Sequence, residues 1–216
     1  MNLISSVRVT LTTATSLIFI LIIISGSANF FLKTSFIYDY NINTYSIEER
    51  TGLTSNKIKE INMEVKNYSF SNDELLDVDI YSQKEILHMK DVKFVIISII
   101  NIAQILIIIF CATSLYLVVY HKTHLDKIVL HSLFWFISLL IILGASFILF
   151  FEQVFLIFHK IVFRNDLWML NPNQDYLLMM YPEDFFRDVA ILILASSFLL
   201  NVIVYFLLRF LNFQSR

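Results

Sequence analysis

The chain has 216 residues, of which 57% are hydrophobic and 16% charged, with a formal net charge of −2 and a mean hydropathy of +0.71. Soluble domains average about 45–50% apolar and about 25% charged residues, so the composition departs from a soluble fold on both counts. The near-neutral charge supplies no basic footprint for nucleic acid.

Four runs without Asp, Glu, Lys or Arg decide the class: 9–32, 94–120, 128–151 and 189–208, of 24, 27, 24 and 20 residues. Each reaches the roughly 20 residues a helix needs to cross about 30 Å of hydrocarbon. A mainly α membrane protein with four transmembrane helices follows. Arg8, the apolar stretch after it and Ser25-Gly26-Ser27-Ala28 imitate a secretory signal. Apolar residues continue through Leu32, long enough to span, so the run is expected to stay as an anchor. Only 3 Gly and 2 Pro argue against the broken helices of transporters.

Four spans place both termini on one side, together with the connector His121–Lys127. That side carries Arg8, Lys122, Lys127, Arg209 and Arg216 against Asp126 alone. The positive-inside rule makes it cytoplasmic. The chain is then divided as 1–32, N-terminus and first span; 33–92, an extracellular cap; 93–151, the second and third spans; 152–188, an extracellular interfacial segment; and 189–216, the fourth span and C-terminus.

Thr54 can cap a helix in the first outside segment, and 68–80 suggests turns or a short strand, giving a small α(+β) cap. Ser82-Gln83-Lys84-Glu85 is a capping box, in which Ser82 satisfies a first-turn N–H and Glu85 reaches back. The helix it starts is expected to run into the second span, with His88 in its second turn. The segment 151–188 is rich in aromatics for a connector and belongs at the membrane surface. If its start is helical, Glu152, His159 and Asp166 recur at seven-residue intervals on one face. Phe151, Phe155, Phe158 and Val162 form an adjacent apolar stripe.

His88 and His159 both lie outside the spans, beside acids and aromatics. Two imidazoles meeting at a cap–membrane boundary suit proton transfer near neutral pH, although each alone equally fits an interfacial residue satisfied by a carboxylate. His121, His124 and His131 lie on the cytoplasmic side, where a basic juxtamembrane loop explains them better than a metal site. Asn201 suits polar glue between helices. Cys111, the single cysteine, lies inside the second run, where a thiol nucleophile is improbable.

Two stretches carry a resemblance: Tyr81-Ser82-x-x-Glu85-x-x-His88-Met89-x-Asp91-Val92-Lys93, and Phe155-x-x-Phe158-His159-x-x-x-Phe163-x-Asn165-x-x-Trp168. Asn171-Pro172-x-x-Asp175-x-Leu177 and Tyr181-Pro182-Glu183-x-Phe185-Phe186-x-Asp188 extend the second. Together with the four-span layout they resemble the lipoprotein intramolecular transacylase family, Lit. The resemblance implies that His88 and His159 are catalytic. It also implies that the sn-2 acyl chain of a diacylglyceryl-modified lipoprotein moves to the α-amino group of its N-terminal cysteine. His88, kept neutral near a helix N-terminus, is expected as base and His159, oriented by Glu152 or Asp166, as donor, with the two roles exchangeable. Tyr81, Glu85, Asp91, Glu152, Asn165 and Asp166 are expected as supporting polar groups. Phe155, Phe158, Phe163, Trp168, Phe185 and Phe186 are expected to wall an acyl and glyceryl pocket. No cofactor and no metal are expected; the partners are the lipoprotein substrate and membrane lipid, and the protein is expected to act as a monomer. The competing classes are a non-catalytic membrane accessory or sensor that binds a partner through its cap, and a hydrolase using the same histidines with water.

Overall fold

The computed structural model describes residues 3–214, which form nine helices and no strand. In chain order these are α1 (Leu3–Lys33), α2 (Phe36–Thr44), α3 (Ile47–Thr51), α4 (Ser55–Tyr68), α5 (Gln83–His121), α6 (Leu125–Leu149), α7 (Phe151–Val162), α8 (Tyr176–Met180) and α9 (Glu183–Gln214). Helices α1, α5, α6 and α9 are long and apolar enough to cross a bilayer. Their apolar side chains, among them Phe94, Ile108 and Ile141, are exposed in large part, as lipid-solvated helices require. At 39 residues α5 measures roughly 58 Å, about twice the hydrocarbon thickness. Its uncharged run starts only at residue 94, so the turns carrying Glu85, His88 and Asp91 precede that run.

The chain forms two compact units. One comprises the N-terminal residues through Ala28, Ile100–Ala145 and the residues from Leu192. Without a hydrophobic force between helices in lipid, small and polar residues join them. Ser16 Oγ on α1 lies 2.8 Å from the Ile128 carbonyl on α6, and Ser132 Oγ donates to Asn201 Oδ1 at 3.0 Å, tying α6 to α9. Phe19 stacks on Phe110 at 5.2 Å, and Phe136 meets Phe198 edge-on at 5.8 Å.

The other unit comprises Asn29–Ile99 and Ser146–Ile191. Its core is Ile37, Ile47, Ile58, Ile61, Leu177 and Met180, all buried. Thr54 caps α4 by accepting the Lys57 N–H, and Gly52, at φ 69°, ends α3 in the left-handed conformation that glycine adopts without steric cost. The short helix α8 is held on three sides by buried polar contacts. Asn41 Nδ2 donates to the Met180 carbonyl at 2.7 Å, the Leu177 N–H donates to Glu85 Oε1 at 2.6 Å, and the Tyr181 hydroxyl donates to Asn62 Oδ1 at 2.6 Å.

Three local expectations change. Residues 69–80 form turns, bends and irregular backbone, pinned by the Tyr68 hydroxyl on the Glu74 carbonyl at 3.1 Å and Lys93 Nζ on the Asp73 carbonyl at 2.6 Å. The β component allowed for the cap therefore has no counterpart among the described residues. The third apolar run is not one helix, because α6 stops at Leu149 and α7 restarts at Phe151. Helix α7 ends at Val162, so Asp166 lies in the following turns and cannot share a helical face with His159. Arg216, one of the charges used for orientation, lies outside the described residues.

Candidate functional site

The turn that presents His88 is built by the capping box. Glu85 Oε2 accepts the Ser82 N–H at 2.6 Å, while the Glu85 N–H reaches Ser82 Oγ at 3.4 Å. Glu85 is only 1% exposed, and its second oxygen takes the Leu177 N–H. One carboxylate thus closes the N-terminus of α5 and anchors α8. Tyr81 is buried beside it, with its hydroxyl 3.3 Å from the Met180 sulfur. Both residues hold the site's frame, and the side-chain hydrogen bonds they make end on Ser82 and α8 rather than on either histidine.

His88, 6% exposed, and His159, 8% exposed, lie with ring centroids 6.2 Å apart. Phe163 closes on both rings, at 5.2 Å from His88 and 5.5 Å from His159. Around His159 stand Phe155 at 4.3 Å, Phe158 at 5.3 Å and Trp168 at 5.2 Å. Phe155 stacks on Phe186 at 5.4 Å, and Phe186 meets Phe185 at 5.3 Å, continuing the aromatic wall. All six expected aromatics therefore belong to one cluster with the two histidines.

The polar surroundings differ from expectation. His159 Nδ1 lies 2.7 Å from the Phe155 carbonyl oxygen, one turn back on α7. A carbonyl only accepts, so Nδ1 carries the proton and the lone pair of the neutral ring sits on Nε2. Glu152 and Asp166 are both exposed, and neither is hydrogen-bonded to His159. The carboxylate orientation expected of them is replaced by a backbone carbonyl. His88 Nδ1 is buried without a hydrogen-bond partner. Asp91 Oδ2 accepts from Asn165 Nδ2 at 2.8 Å, fastening the α5 turn after His88 to the segment that carries Trp168. Lys84 Nζ donates to the Met169 carbonyl and ties the same two segments.

Burial lowers the His88 pKa from its ordinary 6.5 to about 4; His159 and Lys84 add to the depression and Asp91 opposes it. The neutrality expected from a helix N-terminus thus arises chiefly from desolvation. Burial also lowers the pKa of His159, opposed by its hydrogen bond to Phe155. Both rings are neutral at pH 7.

Sequence reasoning missed Asn41 and Asn62, whose partners on and beside α8 lie 139 and 119 residues away. It also missed Tyr40 and Tyr45, whose hydroxyls both donate to Asp188 Oδ2 at 2.5 Å, while Arg187 reaches Asp188 Oδ1 at 3.3 Å. Nothing local marks those pairs, since each is formed only by tertiary packing.

Residues 13–186 match the model of one protein family, described as lipoprotein intramolecular transacylase Lit. The chain is similar in fold to the in meso structure of the membrane integral lipoprotein intramolecular transacylase Lit from Bacillus cereus, with TM-score 0.81 and 23% identity over 97% of this chain and 99% of that one. A structure of the Bacillus cereus protein with one histidine changed to alanine gives TM-score 0.81 and 24% identity, covering 98% of this chain and 96% of that one. A third, with a histidine changed to arginine, gives TM-score 0.79 and 23% identity over the same shares. No curated protein sequence matches the chain.

Proposed function

The chain belongs to the lipoprotein intramolecular transacylase Lit family, and on that premise we propose that His159 and His88 perform its acyl transfer as base and oxyanion donor respectively. The enzyme is a multi-pass membrane acyltransferase. It moves the sn-2 acyl chain of a diacylglyceryl-modified bacterial lipoprotein to the α-amino group of the N-terminal cysteine, giving an N-acylated lyso-form lipoprotein.

The reaction joins two ends of one molecule. Counting nitrogen, Cα, Cβ, sulfur, the two glyceryl carbons, the ester oxygen and the carbonyl carbon, attack closes an eight-membered ring. Medium rings form poorly unless their ends are held together, so positioning supplies a large part of the rate. The aromatic wall around His159 serves that purpose. An α-amine has an unperturbed pKa of about 8, so a neutral nucleophile is available near neutral pH.

The observation that carries the assignment of roles is the 2.7 Å contact between His159 Nδ1 and the Phe155 carbonyl. It leaves Nε2 as the acceptor of the neutral ring and stabilises the imidazolium once a proton arrives there. His88 has no such support, and its burial keeps it neutral. A neutral imidazole still donates one N–H, the contribution expected of a ring that stabilises an oxyanion. As the new C–N bond forms, His159 Nε2 takes the amine proton while the His88 N–H bonds the developing oxyanion. Collapse then breaks the C–O bond, and the proton on His159 passes to the departing sn-2 oxygen. Both rings end neutral, and no water is consumed.

The basic connector and span ends support a site that faces outward, with both termini cytoplasmic. Mass spectrometry of a lipoprotein N-terminus, in cells lacking any other N-acylating activity, tests the function. Expression of the chain is expected to yield one O-linked and one N-linked acyl chain. Two O-linked chains and a free amine would overturn the transfer, and loss of a glyceryl chain without gain on nitrogen would indicate hydrolysis.

A further inference from the structure

The unit that contains Ile100–Ala145 holds a cavity of about 240 Å³, lined by none of the acyl-transfer residues. Arg8 and Thr12 from α1, His121 and Lys122 at the end of α5, and Lys127 and His131 from α6 stand in its wall. The wall contains three fixed cations and no carboxylate. Arg8, Lys122 and Lys127 take part in no ion pair among the described residues. The carboxylate next in sequence, Asp126, is engaged by Arg209 at 3.7 Å and lines a second cavity, which shares Lys127 with the first.

The two histidines of the wall differ in how their ring nitrogens are held. His121 Nε2 is buried and has no hydrogen-bond partner among the described residues. His131, by contrast, satisfies Nδ1 on the backbone carbonyl of Lys127 at 2.8 Å, one turn back on α6. Three like charges around one space repel one another, and an anion between them removes that cost. An arginine fork with lysine point charges is the donor set that proteins use for phosphate oxygens. The volume equals about eight liquid-water volumes, room for a phosphate group with its ester substituents. The wall residues flank the ends of the first three apolar runs, the depth at which lipid headgroups lie.

We propose that this cavity binds a phosphate group, presented either by the headgroup of an anionic phospholipid or as free inorganic phosphate. Native mass spectrometry of the full-length protein, released from nanodiscs of equal parts phosphatidylglycerol and phosphatidylcholine, reads the lipid source. Thermal unfolding in lipid-free detergent, with inorganic phosphate against chloride at matched ionic strength, reads the free anion. Wild type is expected to retain phosphatidylglycerol preferentially, or to be stabilised by phosphate, according to the source. Each cation removed is expected to weaken the effect roughly fivefold. The variants are Lys122→Gln alone, on an exposed connector residue, and the combination Arg8→Gln, Lys122→Gln, Lys127→Gln. A control with Lys57→Gln, Lys59→Gln and Lys66→Gln removes equal charge from α4 and is expected to change nothing. Lipid preference without phosphate stabilisation assigns the headgroup, and the reverse assigns the free anion. Absence of both in wild type overturns the proposal, as does a preference that Lys122→Gln leaves intact.

Discussion

His88 and His159 are the same residue type, buried to nearly the same degree, yet their surroundings differ, and the proposed mechanism gives them different chemistry. His88 sits one turn inside a helix start whose capping box is closed by Ser82 and Glu85, and its Nδ1 has no partner among the described residues. His159 sits in the last turn of α7, with Nδ1 engaged by the Phe155 carbonyl and four aromatic rings around it. Burial makes both neutral; only the backbone hydrogen bond distinguishes a ring ready to accept a proton from one that is merely desolvated. Histidine roles in a dry site are thus set by what holds the far nitrogen.

The largest expected effect removes either ring. His159→Ala and His88→Ala are each expected to lower N-acylation by about a hundredfold or more while the protein still inserts, read by mass spectrometry of the substrate lipoprotein. Substitution by an amide sharpens the contrast. Glutamine donates an N–H but is no base, so His88→Gln is expected to keep at least about tenfold more activity than His159→Gln. The opposite order would exchange the two roles.

Glu85→Ala leaves the Ser82 and Leu177 N–H groups unsatisfied. A loss of about 1–3 kcal/mol is expected from the buried Leu177 N–H, and less from the part-buried Ser82 N–H, seen as a lowered unfolding temperature in detergent. The His88 environment also has a pH signature. Its folded pKa, about 4, lies below the 6.5 of an unperturbed histidine, so the unfolded chain binds the proton more readily in between. Stability is therefore expected to fall as pH drops from about 6.5 towards 4, and His88→Gln is expected to flatten that slope. The smallest effect belongs to Glu152→Gln and Asp166→Asn. Both side chains are exposed, and N-acylation is expected to stay within about twofold of wild type. A large loss would restore a carboxylate to the orientation of His159.

Much of the site was legible in the residues. Ser82 and Glu85 announced the helix start because a capping box is a contact between neighbours in sequence. The aromatics of 151–168 marked a surface segment because their density exceeds what an aqueous connector tolerates. The seven-residue spacing of Glu152, His159 and Asp166 misled, because periodicity describes a face only while the helix lasts. Helix α7 ends at Val162, after which Phe163 turns extended and packs on both histidines. Nor could spacing reveal that Glu85 serves two elements, since Leu177 lies 92 residues away.

By itself the sequence determined that the chain has four helices long and apolar enough to cross a bilayer, that Ser82 caps the start of α5 and that His88 and His159 lie outside the four uncharged runs, beside 94–120 and 128–151 respectively. Transfer of an uncharged run into hydrocarbon and the capping of a helix are local free energies, summed over adjacent residues. The tertiary structure alone decided that the two rings lie 6.2 Å apart, that α8 is anchored on Glu85, and that a carbonyl rather than a carboxylate holds His159. Desolvation and hydrogen-bond geometry depend on which distant segments arrive around a side chain, and that is settled only when the chain packs.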